Sequence, residues 1–120
     1  MRIKSKQTSR VDRIMIVSRY ITITQGNIDN QHIYLRDCLE LFPDDVFGGT
    51  DESQIAPRTV CVEYGSSVVE TDIDREKGIF RRRGWVREFF ADTRATAGDR
   101  ILLEQLTPYR YRVCKVNASH

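Results

Sequence analysis

The densest chemistry in this chain lies in residues 75–90, Arg-Glu-Lys-Gly-Ile-Phe-Arg-Arg-Arg-Gly-Trp-Val-Arg-Glu-Phe-Phe. Between Arg75 and Arg87 stand six cations (Arg75, Lys77, Arg81, Arg82, Arg83 and Arg87) against a single anion, Glu76. Trp85, Phe89 and Phe90 follow at once. A basic arm tethered to a rigid aromatic anchor can hold a polyanion at a fixed angle, because its cations neutralise phosphates while the anchor fixes their direction. The pattern points to double-stranded DNA as the partner. Of the 19 cations in the chain, most are arginine, whose planar fork offers the paired donors that phosphate and guanine accept. A coding bias towards arginine is the plainer source of that excess, and a merely solvated cluster is the plainer reading of Arg81-Arg82-Arg83. Trp85, Phe89 and Phe90 are expected in the core rather than as a base-stacking platform.

Nothing comparable supports catalysis. A nuclease needs clustered carboxylates and a lysine to hold metal ions and orient water. Pro43-Asp44 is followed by no Glu-x-Lys, and Glu76 and Lys77 are adjacent, so on an extended chain they face opposite ways. His32 and His120 are the two histidines, and no Ser/His/Asp or Cys/His arrangement or phosphate-cradling glycine loop is visible. Cys38, Cys61 and Cys114 are odd in number, with no Cys-x-x-Cys, and read as buried thiols. No catalytic residue, metal ligand or cofactor is therefore expected. An enzyme is the less favoured reading of this chain alone.

At 120 residues the chain makes one domain, long enough to bury a core without staples, and 40% hydrophobic with 30% charged residues suits a soluble globular protein. No apolar run approaches the roughly 18 residues of a membrane span, and Met1-Arg2-Ile3-Lys4-Ser5-Lys6 lacks the apolar stretch of a signal peptide. The expectation is a cytoplasmic protein, nucleoid-associated in a bacterium, with no membrane partner. The net charge of +2 conceals a partition. Residues 1–36 carry seven cations and two anions, residues 37–74 one and ten, and residues 75–120 eleven and five. Such sorting suits a molecule with a basic face and an acidic back.

The elements that would position these groups are mostly strands. Residues 1–10 read as a flexible basic tail and 11–117 as the folded domain. Val11 to Thr24 is β-branched, with Ile21-Thr22-Ile23-Thr24 alternating strictly, and predicts one long or two short strands. Residues 25–31 are turn formers and amides. His32 to Leu35 reads as a short strand and Arg36 to Phe42 as a short helix stopped by Pro43. Asp44 to Pro57 is acidic loop with a turn at Gly48-Gly49. Thr59–Tyr64 and Val68–Ile73 form a hairpin around Gly65-Ser66-Ser67. Ile79-Phe80-Arg81 resumes a strand, on whose continuation Arg81 and Arg83 point one way and Arg82 the other. A helix runs over Trp85 to Asp92. Ala97-Gly98-Asp99 makes a tight turn, organised by the Asp99 carboxylate, into a strand from Arg100. The last strand, Tyr109 to Val116, sets Tyr109, Tyr111 and Val113 on one face and Arg110 and Arg112 on the other. Seven short strands and two short helices predict a mostly β protein, an open or closed barrel.

Gly84-Trp85, Phe89 and Gly98-Asp99, leading into an apolar strand, stand at a joint spacing that resembles the DNA-binding pseudobarrel family. This is the B-three-type domain of plant auxin- and abscisic-acid-response transcription factors, shared with target-recognition domains of some bacterial restriction endonucleases. Ile33-Tyr34-Leu35 and the helix into Phe42-Pro43 are similar to the family's second strand and first helix, so the resemblance spans residues 13–116. Phe42-Pro43-Asp44 and Gly48-Gly49 look closer to the bacterial branch. The acidic loop 44–57 departs from the pattern.

The resemblance implies two arms gripping the major groove, the first over Thr24 to Gln31 and the second over Asp74 to Arg83. On this implication Thr24, Gln25, Asn27, Asn30, Gln31 and His32 face DNA from the first arm, and Arg75, Lys77, Arg81, Arg82 and Arg83 from the second. Side-chain amides can pair bidentately with adenine, and arginine with guanine, at about 1–3 kcal/mol of discrimination each. Without it, the amides are ordinary turn residues and His32 a packed or groove-edge residue. The expected function is sequence-specific duplex recognition in restriction-modification, with a nuclease domain or subunit as a further partner. The alternative is a protein-interaction module with a basic arm and an acidic back.

Overall fold

The computed structural model describes residues 16–116, and these are mostly β. Eight strands form two sheets. The larger has the order β1-β7-β8-β3-β4, built from β1 (Val17–Thr22), β7 (Arg100–Thr107), β8 (Arg110–Val116), β3 (Val60–Tyr64) and β4 (Ser67–Thr71). The smaller has the order β2-β5-β6, from β2 (Phe47–Gly48), β5 (Ile73–Asp74) and β6 (Ile79–Phe80). All pairs are antiparallel except β3 with β8 and β2 with β5. Two α-helices, α1 (Gln25–Asn30) and α2 (Gly84–Thr93), and 3-10 helices over Arg36–Leu41, Asp44–Val46 and Glu52–Gln54 complete the described chain.

Local chemistry accounts for most of these elements. Gly65, at φ +57°, turns β3 into β4, a conformation that costs glycine nothing. The Asp99 carboxylate accepts from the Thr96 backbone N–H at 2.9 Å, and its pKa is lowered by that bond first and by Lys115 after it. Gly98 supplies the left-handed turn into β7. Along β3, β7 and β8 alternate side chains point inward: Val60 and Val62, Ile101 and Leu103, Tyr111 and Val113. α2 lays Trp85, Val86, Phe89 and Phe90 into this core. Phe42 stacks on Tyr111 with ring centroids 4.5 Å apart, and the Tyr111 hydroxyl donates to the Leu41 carbonyl at 2.7 Å. Burial pushes that phenol up to about 12.

Several expectations are corrected. Residues 25–31 are not an irregular turn, because Thr24 and Asn27 form a reciprocal capping box that nucleates α1. The segment 32–35 is no strand. It makes a single bridge, Tyr34 to Ile79. The acidic loop holds a strand, β2, where a glycine turn was expected, since Gly48 pairs in parallel with Asp74. The second arm of the hairpin breaks at Asp72 and changes sheet there. Against the seven strands of an open or closed barrel, the described residues hold eight strands in two sheets and form no closed barrel. The basic tail, and residues 11–15 of the first expected strand, lie outside the described residues. Among the described residues no helix is long and apolar enough to cross a membrane.

Candidate nucleic-acid interface

The second arm, Asp74 to Arg83, starts as a tight connection between β5 and β6 and runs on past β6 to α2. Gly78, at φ +69°, closes it by donating to the Asp74 carbonyl at 2.8 Å, while the Asp74 carboxylate accepts from the Lys77 N–H at 3.0 Å. The Gly78 carbonyl accepts from Leu35 N–H at 2.7 Å, and a Cβ at residue 78 would come within 2.9 Å of Arg36 Cγ. Glycine is thus required there twice, by dihedral angle and by close approach. At the other end, Trp85 Nε1 donates to the Arg82 carbonyl at 2.7 Å, fastening the arginine run to the core.

These contacts bring the arms together. α1 ends at Gln31, which takes a left-handed conformation, and the His32 N–H donates to the Asn27 carbonyl. Arg83 Nη1 then lies 3.4 Å from His32 Nδ1. The imidazole packs on Tyr34 at 4.6 Å between centroids. The His32 pKa is lowered, first by burial and then by the charges of Arg83 and Lys77. A guanidinium facing Nδ1 assigns the imidazole proton to Nε2, a buried atom with no partner among the described residues. The junction therefore joins His32, Lys77 and Arg83 with Tyr34 and Arg36 beside them.

Two of the sequence-derived site residues are taken up by the fold's own bonding. Arg81 is not on a groove-facing surface. Its Nε donates to the Asp72 carboxylate at 2.6 Å and its Nη2 to the Gly49 carbonyl at 2.6 Å, with side-chain exposures of 16% for Arg81 and 3% for Asp72. The bond to Asp72 raises the guanidinium pKa. Asp72 also accepts from the Ala56 N–H at 2.8 Å. Arg81 thus ties the acidic loop to the residue where the chain passes from one sheet to the other. The expected alternation across 81–83 fails because β6 ends at Phe80. Asn27 is 2% exposed, and its Oδ1 accepts from the Thr24 N–H at 2.8 Å. Its Oδ1 closes a helix cap, so the amide cannot offer the paired donor and acceptor that read a base edge in a groove.

The remaining residues divide by how far they are already engaged. Thr24 is exposed, but its hydroxyl oxygen accepts from Asn27 N–H at 3.1 Å. Gln25 donates to Asp29 at 3.0 Å and Asn30 to the Gly26 carbonyl at 3.1 Å, both on the exposed side of α1. Gln31 is half-buried. Arg75 lies over the Phe47 ring at 4.1 Å, away from the junction. Lys77, Arg82 and Arg83 are exposed, and none makes an ion pair with another described residue.

Tyr34 and Arg36 were not among the residues singled out from sequence. The available signal was the alternation Ile33-Tyr34-Leu35, which buries Ile33 and Leu35 and turns Tyr34 outward. Comparison with protein-family models, curated proteins and solved structures finds no match to this chain.

Proposed function

We propose that this chain is a sequence-specific double-stranded DNA-binding domain of the pseudobarrel type, acting as the recognition domain, or a standalone relative, of a restriction endonuclease. One observation carries the reading: the contact between His32 and Arg83, 51 residues apart in sequence, which sets an amide-bearing helix and a guanidinium-bearing arm side by side. Gln25, Asn30 and Gln31 would read base edges from the first arm, and Arg82 and Arg83 from the second. Lys77 and Arg36 would hold phosphates between them. Arg81 has no direct part, and Asn27 has none in reading the groove. The Arg81–Asp72 pair ties the acidic loop to the point where the chain passes between the sheets.

The test is a titration of labelled duplexes at several salt concentrations, followed by selection of bound sites from randomised duplexes. The expected outcome is enrichment of one short sequence, with log affinity falling against log salt at about −0.9 per phosphate neutralised. Salt-independent affinity, or selection with no enrichment, would remove the reading.

A protein-interaction module remains the second reading on one specific observation. Val17 and Val68 are exposed on β1 and β4, the two edges of the larger sheet, where a partner strand can add. Stable association seen by size exclusion, together with no duplex shift in a gel, would favour it.

A further inference from the structure

A cleft of about 690 Å³ opens beside the junction of the two arms. One wall is β1, an edge strand of the larger sheet; the other is the segment 34–38, whose Tyr34 bridges to the smaller sheet; α1 contributes Asn27, and Thr24 caps it from the same side. Each wall carries a tyrosine. Tyr20 is 59% exposed with the Arg100 guanidinium 4.5 Å over its ring, and Tyr34 is 40% exposed and packed on His32. Both rings are held by a neighbour, yet neither belongs to the core. Exposed rings kept in place, one of them under a cation, are what a stacking platform for bases requires.

The polar lining is mixed in sign. Arg36 offers donors, Asp37 an acceptor, and Thr24 a hydroxyl. Asn27 lines the same cleft, and although its Oδ1 is engaged by Thr24, its buried Nδ2 has no partner among the described residues. A buried donor without an acceptor is uncommon in folded proteins and calls for a reason. Side-chain shifts of the size that binding brings would open it to a seated ligand.

We infer that this cleft takes a single unstacked nucleobase. Such a ring is flat enough to lie against Tyr20 or Tyr34, carries ring or carbonyl acceptors for Asn27 and Arg36, and, in three of the four bases, an amino donor for Asp37. A bare phosphate would gain nothing from the rings and be repelled by Asp37. The base comes either from the duplex held at the arms, a source that rests on the duplex-binding reading, or from a free nucleotide.

The experiment titrates the full chain with duplexes carrying 2-aminopurine at successive positions, matched and mismatched, and separately with the mononucleotides while tyrosine ring resonances are followed by NMR. For a base taken from the duplex, 2-aminopurine fluorescence rises several-fold at one position, and a mismatch there tightens binding on the order of tenfold, because an unpaired base is cheaper to unstack. Tyr34→Ala abolishes both signals, and Tyr34→Phe, which keeps the ring, restores them. For a free nucleotide, a mononucleotide moves the Tyr20 and Tyr34 resonances saturably and the duplex signals stay flat. Duplex binding with flat fluorescence, no mismatch preference and no mononucleotide shift overturns the cleft and leaves the interface standing. No binding to any duplex overturns the interface, and the mononucleotide titration then decides the cleft alone.

Discussion

Arg81 and Arg83 stand two residues apart in one arginine run, and the fold uses them in opposite ways. Arg81 is turned inward onto Asp72 and the Gly49 carbonyl, with little of its side chain exposed. Arg83 is exposed, and its side chain hydrogen-bonds only to the His32 imidazole among the described residues. The first is neutralised by the acidic middle of the chain, and the second adds to an uncompensated positive surface. A run of like charge is therefore not one surface. Where β6 stops and α2 begins decides which guanidinium is committed to the fold and which is left for a partner.

That contrast can be broken most forcefully at the buried pair. Arg81→Ala leaves Asp72 buried without its counter-charge, and removing one member of such a pair costs about 3–5 kcal/mol. Urea denaturation of the variant should show a loss of that size. Stability equal to the wild type would mean that the pair is not formed in solution. Arg83→Ala should do the reverse. Stability stays within about 0.5 kcal/mol, as for an exposed side chain. Duplex affinity falls by about 1–3 kcal/mol, with altered base preference if the contact is to guanine, or with a salt slope shallower by about one if it is to phosphate. An affinity unchanged in this variant would take the second arm out of the interface.

The first arm contains the same division on a smaller scale. Thr24→Ala removes the oxygen that accepts from the Asn27 N–H and should cost about 1 kcal/mol of stability, read as a lower urea midpoint. Gln25→Ala, on the exposed side of α1, should leave the midpoint in place and change the selected DNA sequence.

The smallest effect is a pH dependence at the junction, where burial, Arg83 and Lys77 hold the His32 pKa below its ordinary 6.5. The unfolded chain thus takes up the His32 proton at a higher pH than the folded one. Stability contributed by the neutral imidazole is present above about 6.5 and lost as pH falls through the window beneath it. Duplex phosphates act in the other direction, favouring the protonated ring. Between pH 7.5 and 5.5 the melting temperature of the free protein should drop while duplex affinity rises, and His32→Gln should flatten both trends.

How much of this was readable in advance depends on the range of the interaction. The β3–β4 hairpin, the turn at Gly98-Asp99 and the apolar face of α2 follow from neighbours in the chain, and they were anticipated closely. α1 looks like a turn in the sequence because Gln-Gly-Asn-Ile-Asp-Asn is rich in turn formers. The overlooked signal was Thr24 three residues before Asn27, a capping box with asparagine in the place usually held by glutamate or glutamine. The acidic loop could not be assigned, since its partner, Arg81, is reached only when the chain crosses between sheets at Asp72. For the candidate interface, exposure separated Arg82, Arg83 and Lys77 from Arg81, and Gln25 and Asn30 from Asn27, though all looked alike as residue types.

Residue order alone set the strand-rich character, the main turns, the aromatic packing of α2 and the sorting of charge into basic and acidic thirds. Each arises from contacts a few positions apart or from composition, where alternation, φ preference and helical spacing act directly. The Arg81–Asp72 clamp, the His32–Arg83 junction and the cleft between β1 and segment 34–38 needed the folded chain. Their members lie far apart in sequence and meet only in the folded chain, where long-range packing determines which side chains lose their water and which keep it.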